Sequence, residues 1–166
     1  MRKLLIGGAL AALTLTLTAC GGSSASSASQ QALQRQADLY AIDRIEQKFH
    51  QATSKHDIEL MMSLWAPTAT FTTSPGQTLT GKKQIRQFWL AAPAFQPANH
   101  WVSDTPAYKI RITVNGDRGT LYFECHYIDS KTSELGPVTG ADQQVARING
   151  RWLITDMVGA SATLSS

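Results

Sequence analysis

The sequence predicts an α+β domain in which three N-terminal helices pack on one side of a curved antiparallel sheet. Three observations carry this. Apolar Leu39, Ile42, Ile45, Phe49 and Ala52 recur at steps of three and four, the period of a helix with one buried face. From Tyr108 to Asp129 apolar and polar residues alternate strictly on either side of Asn115-Gly116-Asp117, the pattern of a half-buried hairpin. Asn149-Gly150 lies between two further β-like runs, a strong short-range hairpin signal.

The chain of 166 residues opens on a basic Met1-Arg2-Lys3. Leu4 to Leu17 is apolar, about the length of a signal-peptide core and short for a spanning helix. It ends in Leu17-Thr18-Ala19-Cys20, which resembles a bacterial lipobox, followed by Gly21-Gly22 and a Ser/Ala tract. The expected organisation is a lipoprotein signal peptide over 1–19 and a lipidated Cys20 with a flexible polar tether over 20–31. A folded domain over 32–160 and a tail over 161–166 follow. Such a protein would be lipid-anchored to a bacterial membrane, with its domain facing the periplasm or the exterior.

Removal of the leader changes the charge. Without Arg2 and Lys3 the 15 basic residues become 13 against 12 acidic, a net charge of +1. A near-neutral domain lacks the concentrated basic face that nucleic-acid binding requires, so no nucleic-acid partner is expected. Lys82, Lys83 and Arg86 read as a solvated helix face. With Cys20 consumed by lipid, Cys125 has no partner for a disulfide, and its place in an apolar row reads as a small buried hydrophobe.

The first helix is expected from about Gln30 to His56, with charged Asp38, Arg44, Glu46 and Lys48 between its apolar positions. Asp57 reads as the N-cap of a second helix, Ile58 to about Trp65, ended by Pro67. Thr68–Thr73 reads as a short strand. Lys82–Leu90 is a third helix burying Ile85, Phe88 and Trp89, and Pro93 and Pro97 stop it. Asn99–Ala107 is extended. In the hairpin that follows, a loop at 115–118 sets Val114 against Gly119, Ile112 against Leu121, Ile110 against Phe123 and Lys109 against Glu124. Ser130–Pro137 reads as a loop, and Gly140–Ile148 and Arg151–Val158 as the last two strands. A two-residue Asn149-Gly150 turn pairs Arg147 with Trp152 and Asp156 with Gln143, so Arg147 packs over Trp152 or clamps a ligand.

Several segments together resemble the SnoaL-like branch of the nuclear transport factor 2-like superfamily. They are HDIELMMSLWAPTATF (56–71), Leu79-Thr80-Gly81-Lys82, NHWVSD (99–104), NGDRGTLYFE (115–124) and NGRWLI (149–154), spanning about residues 37–158. The resemblance implies a cone of three helices against a strongly curved sheet with a pocket between them. The superfamily includes polyketide cyclases, ketosteroid isomerases, scytalone dehydratase and limonene epoxide hydrolase. It also includes members without chemistry, which serve as binding or dimerisation modules, so fold alone does not decide activity.

Candidate site residues follow. His100 matches in position a histidine that dehydratase-like members direct into the pocket, and an imidazole suits proton transfer near neutrality. Asp57 matches a carboxylate of the family, although an N-cap explains it fully and favours its anion. Trp65, Phe71, Phe88, Trp89, Trp101, Phe123 and Tyr127 are candidates to line an apolar pocket, and Asp156 reaches it if it shares the face of Trp152 and Ile154. Asp104 is a further strand carboxylate. The resemblance also exposes departures: Thr53 and Thr73 stand near the positions of the dehydratase's two pocket tyrosines. His126 lies on the alternation opposite Phe123 and Cys125. His50 and His56 are six residues apart, and no His-x-x-x-His, paired cysteines or glycine-rich phosphate loop occurs, so no metal or other cofactor is expected.

The expected function is therefore the binding of a small apolar ligand or an envelope partner without catalysis. The alternatives are a small-molecule lyase or isomerase using His100 with a carboxylate, and a structural module. Dimers through the sheet face are common in the family, which makes the outer face with Arg111, Tyr122, Glu124 and His126 a candidate for homodimer contact.

Overall fold

The computed structural model describes residues 22–103 and 109–161. The leader, Cys20 and Asp104 therefore lie outside the described residues. The elements are α1 (Gly22–Ser54), α2 (Ile58–Ser63), β1 (Trp65–Thr72), β2 (Thr78–Thr80) and α3 (Gly81–Ala91). A 3₁₀ turn (Pro93–Phe95), β3 (Trp101–Ser103), β4 (Ile110–Asn115), β5 (Arg118–Asp129), β6 (Leu135–Ile148) and β7 (Arg151–Ser161) complete the series. One sheet of seven strands runs in the order β2-β1-β7-β6-β5-β3, and β4 also pairs with β5.

Both hairpins form at the expected turns. β4 and β5 pair Ile110 with Phe123, Ile112 with Leu121 and Val114 with Gly119, and Asn115 with Arg118 closes a two-residue loop. Gly116 has φ +58°, as the first central position of such a loop favours. In the β6–β7 turn Asn149 and Gly150 both take positive φ, 50° and 75°, the pattern of a type I′ turn.

Four expectations are corrected. The sheet is mixed, because β1 runs parallel to β7. No hairpin constrains the relative direction of these two strands, which are separated by most of the domain. Pro67 sits inside β1, whose first residue is Trp65, instead of ending a helix. Its missing N–H costs little there, since β2 pairs only with 70–72 and the register with β7 shifts between Trp65 and Thr70. The third correction concerns Asp156, which pairs with Gln144 and not Gln143. Thr155 is an extra residue in a bulge between the Ile154 and Asp156 pairs, and one extra residue turns every later side chain to the other face. Finally, α1 starts at Gly22, so the tract expected to be a flexible tether is helical over 22–31, though exposed from 26 to 37. Extending an existing helix needs no new nucleus, and Ala and Ser tolerate it.

The helices cover the face of the sheet that carries Leu121, Phe123, Val145 and Ile154, all buried. Ile42, Ile45, Phe49 and Ala52 of α1 supply the helix side of this core, joined by Met61, Met62 and Ile85. α1 comes closest at Gly119. A Cβ there would collide with the Thr113 carbonyl and crowd Ile42 Cδ1 and Val145 Cγ2, each 3.3 Å away.

A polar clamp continues the buried face of α1 one turn toward its N-terminus. Asp38, only 5 % exposed, accepts from Arg147 Nη2 (2.7 Å), Trp152 Nε1 (3.2 Å) and Gln34 Nε2 (3.0 Å). Arg147 also donates Nε to Asp117 (2.8 Å), and its guanidinium lies 5.0 Å from the Trp152 ring. These contacts make Arg147 a tie between helix and hairpins. Burial pushes the Asp38 carboxyl up, but the three hydrogen bonds and the Arg147 charge outweigh it and hold the group below its ordinary value.

A carboxyl whose folded pKa is depressed stabilises the fold above its unfolded pKa, about 4, and loses that contribution as pH falls through the folded value. Asp38→Asn is therefore expected to lower the urea midpoint at pH 7. The gap from the parent protein closes at the acid end, where the parent carboxyl is also protonated. An equal gap at pH 7 and in acid would contradict this account.

Candidate functional site

Between the helices and the sheet lies a cavity of about 420 Å³. Each wall follows from a local pattern already described. Phe49 comes from the apolar stripe of α1, Phe88 and Trp89 from α3, and Phe71 from β1. On the sheet side, alternation sends Phe123, Cys125 and Tyr127 of β5 inward, with Trp101 of β3 beside them. Phe71 and Trp89 stack at 5.9 Å and 5°, while Phe49 meets Trp89 edge-on at 5.3 Å. The aromatic walls thus brace one another, which favours a space that persists without a ligand.

The wall is not wholly apolar, and behind its Cys125 stand two further polar residues. Cys125 Sγ lies 2.9 Å from His50 Nε2, and His50 Nδ1 lies 2.7 Å from Glu46 Oε1. That second distance is within ion-pair reach, although the ring N–H is not aimed along it. His50 and Glu46 are 0 % exposed and Cys125 is 3 % exposed. The His50 ring stands edge-on to Phe123 at 5.3 Å, which keeps water from it. Burial, and then the Glu46 charge, push the Cys125 thiol up, so the resting group is a neutral thiol. Burial also pushes the Tyr127 phenol up, helped by the neighbouring thiol.

Residues 47–155 match the family model of the SnoaL-like domain. The chain belongs to the SnoaL-like family. No curated protein matches it by sequence. Among solved structures it is similar to a protein of unknown function with a cystatin-like fold from Nostoc punctiforme. That match has TM-score 0.67 and 19 % identity, covering 77 % of this chain and 93 % of that one. A nuclear transport factor 2-like protein from Novosphingobium aromaticivorans matches with TM-score 0.66 and 15 % identity, covering 87 % and 93 %. A candidate dehydratase of the same fold family from Streptomyces avermitilis matches with TM-score 0.61 and 16 % identity, covering 77 % and 98 %. At these identities the likeness is one of fold.

Within this SnoaL-like domain the candidate residues part company. Phe71, Phe88, Trp89, Trp101, Phe123 and Tyr127 line the cavity together. Trp65 does not: it is fully buried behind Phe71, ring to ring at 5.7 Å. Asp156 also lies outside, because the Thr155 bulge turns it away and brings Met157 inward. Its carboxylate instead accepts from Thr70 Oγ1. His100 is half-buried ahead of β3, one position before the inward Trp101, and does not line the cavity. Its carbonyl accepts from Ser130 N at 2.9 Å, and its imidazole is close enough to Asp129 to help hold that carboxyl down. Asp57 is exposed and caps α2, accepting from Leu60 N at 2.8 Å. Thr73 reaches the cavity rim, whereas Thr53 bonds back to the α1 carbonyls of Phe49 and His50.

On the opposite sheet face, Arg111 lies 4.0 Å over the Tyr122 ring, and Tyr122 donates to Glu124 at 2.7 Å. Glu124 and His126 are buried within the chain, so that face is not open at those positions. Among the described residues no group of three or more His, Cys, Asp or Glu is placed to hold a metal ion.

Glu46 and His50 are the functional-site residues that the sequence reading missed. The signal was present: they lie four apart within the stripe Ile42, Ile45, Phe49, so they face the core and not solvent.

Because Asp57 caps a helix outside the cavity, Asp57→Ala is expected to cost about 1 kcal/mol of stability. The same variant should bind a cavity ligand as the parent does. Titration of both proteins checks this, and weakened binding without unfolding would place Asp57 in the site after all.

Proposed function

We propose that this protein is an envelope-anchored receptor that holds a small apolar molecule in the aromatic cavity. The observation that carries the reading is the cavity itself. Its volume of about 420 Å³ falls in the usual range of ligand pockets, and stacked aromatics form most of its wall. Such a space suits a molecule the size of a bicyclic aromatic. Bulges in β6 and β7, at residues 135–138 and 154–156, support a sheet bent around that space. The basic start, the apolar run and Leu17-Thr18-Ala19-Cys20 support a lipid on Cys20 and an address facing the periplasm or exterior.

A catalytic reading draws on similarity to the candidate dehydratase and to a candidate ketosteroid isomerase from Shewanella frigidimarina. With His100 and Asp57 as its acid and base it is the weaker reading, since neither side chain lines the cavity.

The test is a titration of the full chain with N-phenyl-1-naphthylamine, followed by quenching of tryptophan fluorescence. Saturable one-to-one binding is expected. Ala141→Leu adds bulk to the cavity wall and should weaken binding by about tenfold or more, while a melting curve verifies folding. Unsaturable quenching, or an affinity indifferent to Ala141→Leu in a folded variant, would overturn the reading.

A further inference from the structure

The buried polar group that meets the cavity through Cys125 has no use in passive binding of an apolar molecule. A thiol, an imidazole and a carboxylate in series have the connectivity of a nucleophile, its base and the group that orients the base. The thiol belongs to a residue that lines the cavity, so a bound molecule can meet it.

We propose that Cys125 is a nucleophile, with His50 as its base, that adds reversibly to an α,β-unsaturated carbonyl compound carrying an apolar body. The aromatic walls take the apolar body of such a compound, and the soft sulfur takes its electron-poor β-carbon. As the Sγ–Cβ bond forms, the alkene π bond breaks and its electron pair moves onto the α-carbon and carbonyl as an enolate. The thiol proton passes to His50 Nε2 and from there to the α-carbon. Nothing is oxidised or reduced, and reversal returns thiol and alkene. Glu46 is a positioning residue whose carboxylate faces the imidazolium formed on the way. The neutral resting thiol suits this order, because the proton leaves only when an electrophile is in place.

The proposal rests on the cavity taking an apolar ligand, and the experiment separates the two claims. The full chain is incubated with benzylideneacetone, and adducts are located by intact mass and peptide mapping, which distinguishes Cys125 from Cys20. Its saturated analogue, 4-phenylbutan-2-one, is titrated in parallel by tryptophan quenching. An adduct on Cys125, with a rate that saturates in the enone, is expected. His50→Gln should lower the limiting rate by about 100-fold or more. Glu46→Gln should lower it by about tenfold, and both variants should keep the parent's half-saturating concentration. If His50→Gln does not fold, Glu46→Gln carries the comparison. Binding of the saturated analogue without any adduct on Cys125 overturns the proposal and leaves the receptor reading standing. So does alkylation of His50→Gln, or of Glu46→Gln where it carries the comparison, at the parent rate. If neither compound binds, both readings fail.

Discussion

The domain depends on how α1 lies across the sheet. Ile42, Ile45 and Phe49 form one stripe, and at its N-terminal end the contact with the sheet is as close as side chains allow, because Gly119 has none. The Asp38–Arg147–Trp152 clamp fixes the same face of the helix one turn earlier. The C-terminal end of α1 is tied to the sheet as well, where Ser54 Oγ accepts from Ser103 N of β3 at 2.8 Å. The cavity lies beside Phe49, between the sheet and α3. α3 and the 3₁₀ turn close it with Trp89 and the Ala92–Ala94 segment, and β3 closes the edge with Trp101.

That arrangement places polar groups where they are costly. An ionisable pair such as Glu46 and His50 is stabilised by its own contact, but desolvation offsets much of the gain. Replacing such groups with hydrocarbon is often neutral or favourable for stability. The core around them is otherwise apolar and aromatic, with Phe49, Phe123 and Trp89 in edge contact. Three linked polar groups that reach an aromatic cavity through Cys125 are therefore better explained by what they do to a bound molecule than by what they add to the fold. Asp38 is a useful contrast. It too is buried on α1, yet it accepts three hydrogen bonds and touches residues that only tie elements together.

Local patterns made much of this structure legible in the sequence. Alternation and turn residues were enough for the β4–β5 register, down to the Ile110–Phe123 pair, and for the Arg147–Trp152 pair. Asp57 as a cap and six of the cavity aromatics were equally readable. Two of the failures, at Asp156 and in the strand order, depend on contacts remote in sequence. The bulge at Thr155 breaks the alternation without any glycine or proline to mark it, and so Asp156 changed places with Met157. Parallel pairing of β1 with β7 joins the two ends of the domain, and no turn announces it. Glu46 looked like one of the solvated charges of α1. Only its position within the apolar stripe, four residues before His50, showed that it faced inward, and Cys125 completes the group from 75 residues away.

The account stands or falls on whether the cavity is occupied by an apolar molecule in the manner described. The most direct measurement is a crystal structure of the full chain grown with N-phenyl-1-naphthylamine. The account predicts the compound inside the cavity, its rings between Trp89 and Trp101 and over Cys125, with the walls in nearly the same place as without it. A compound bound only at the exposed surface, with the cavity collapsed or filled by its own side chains, would contradict it.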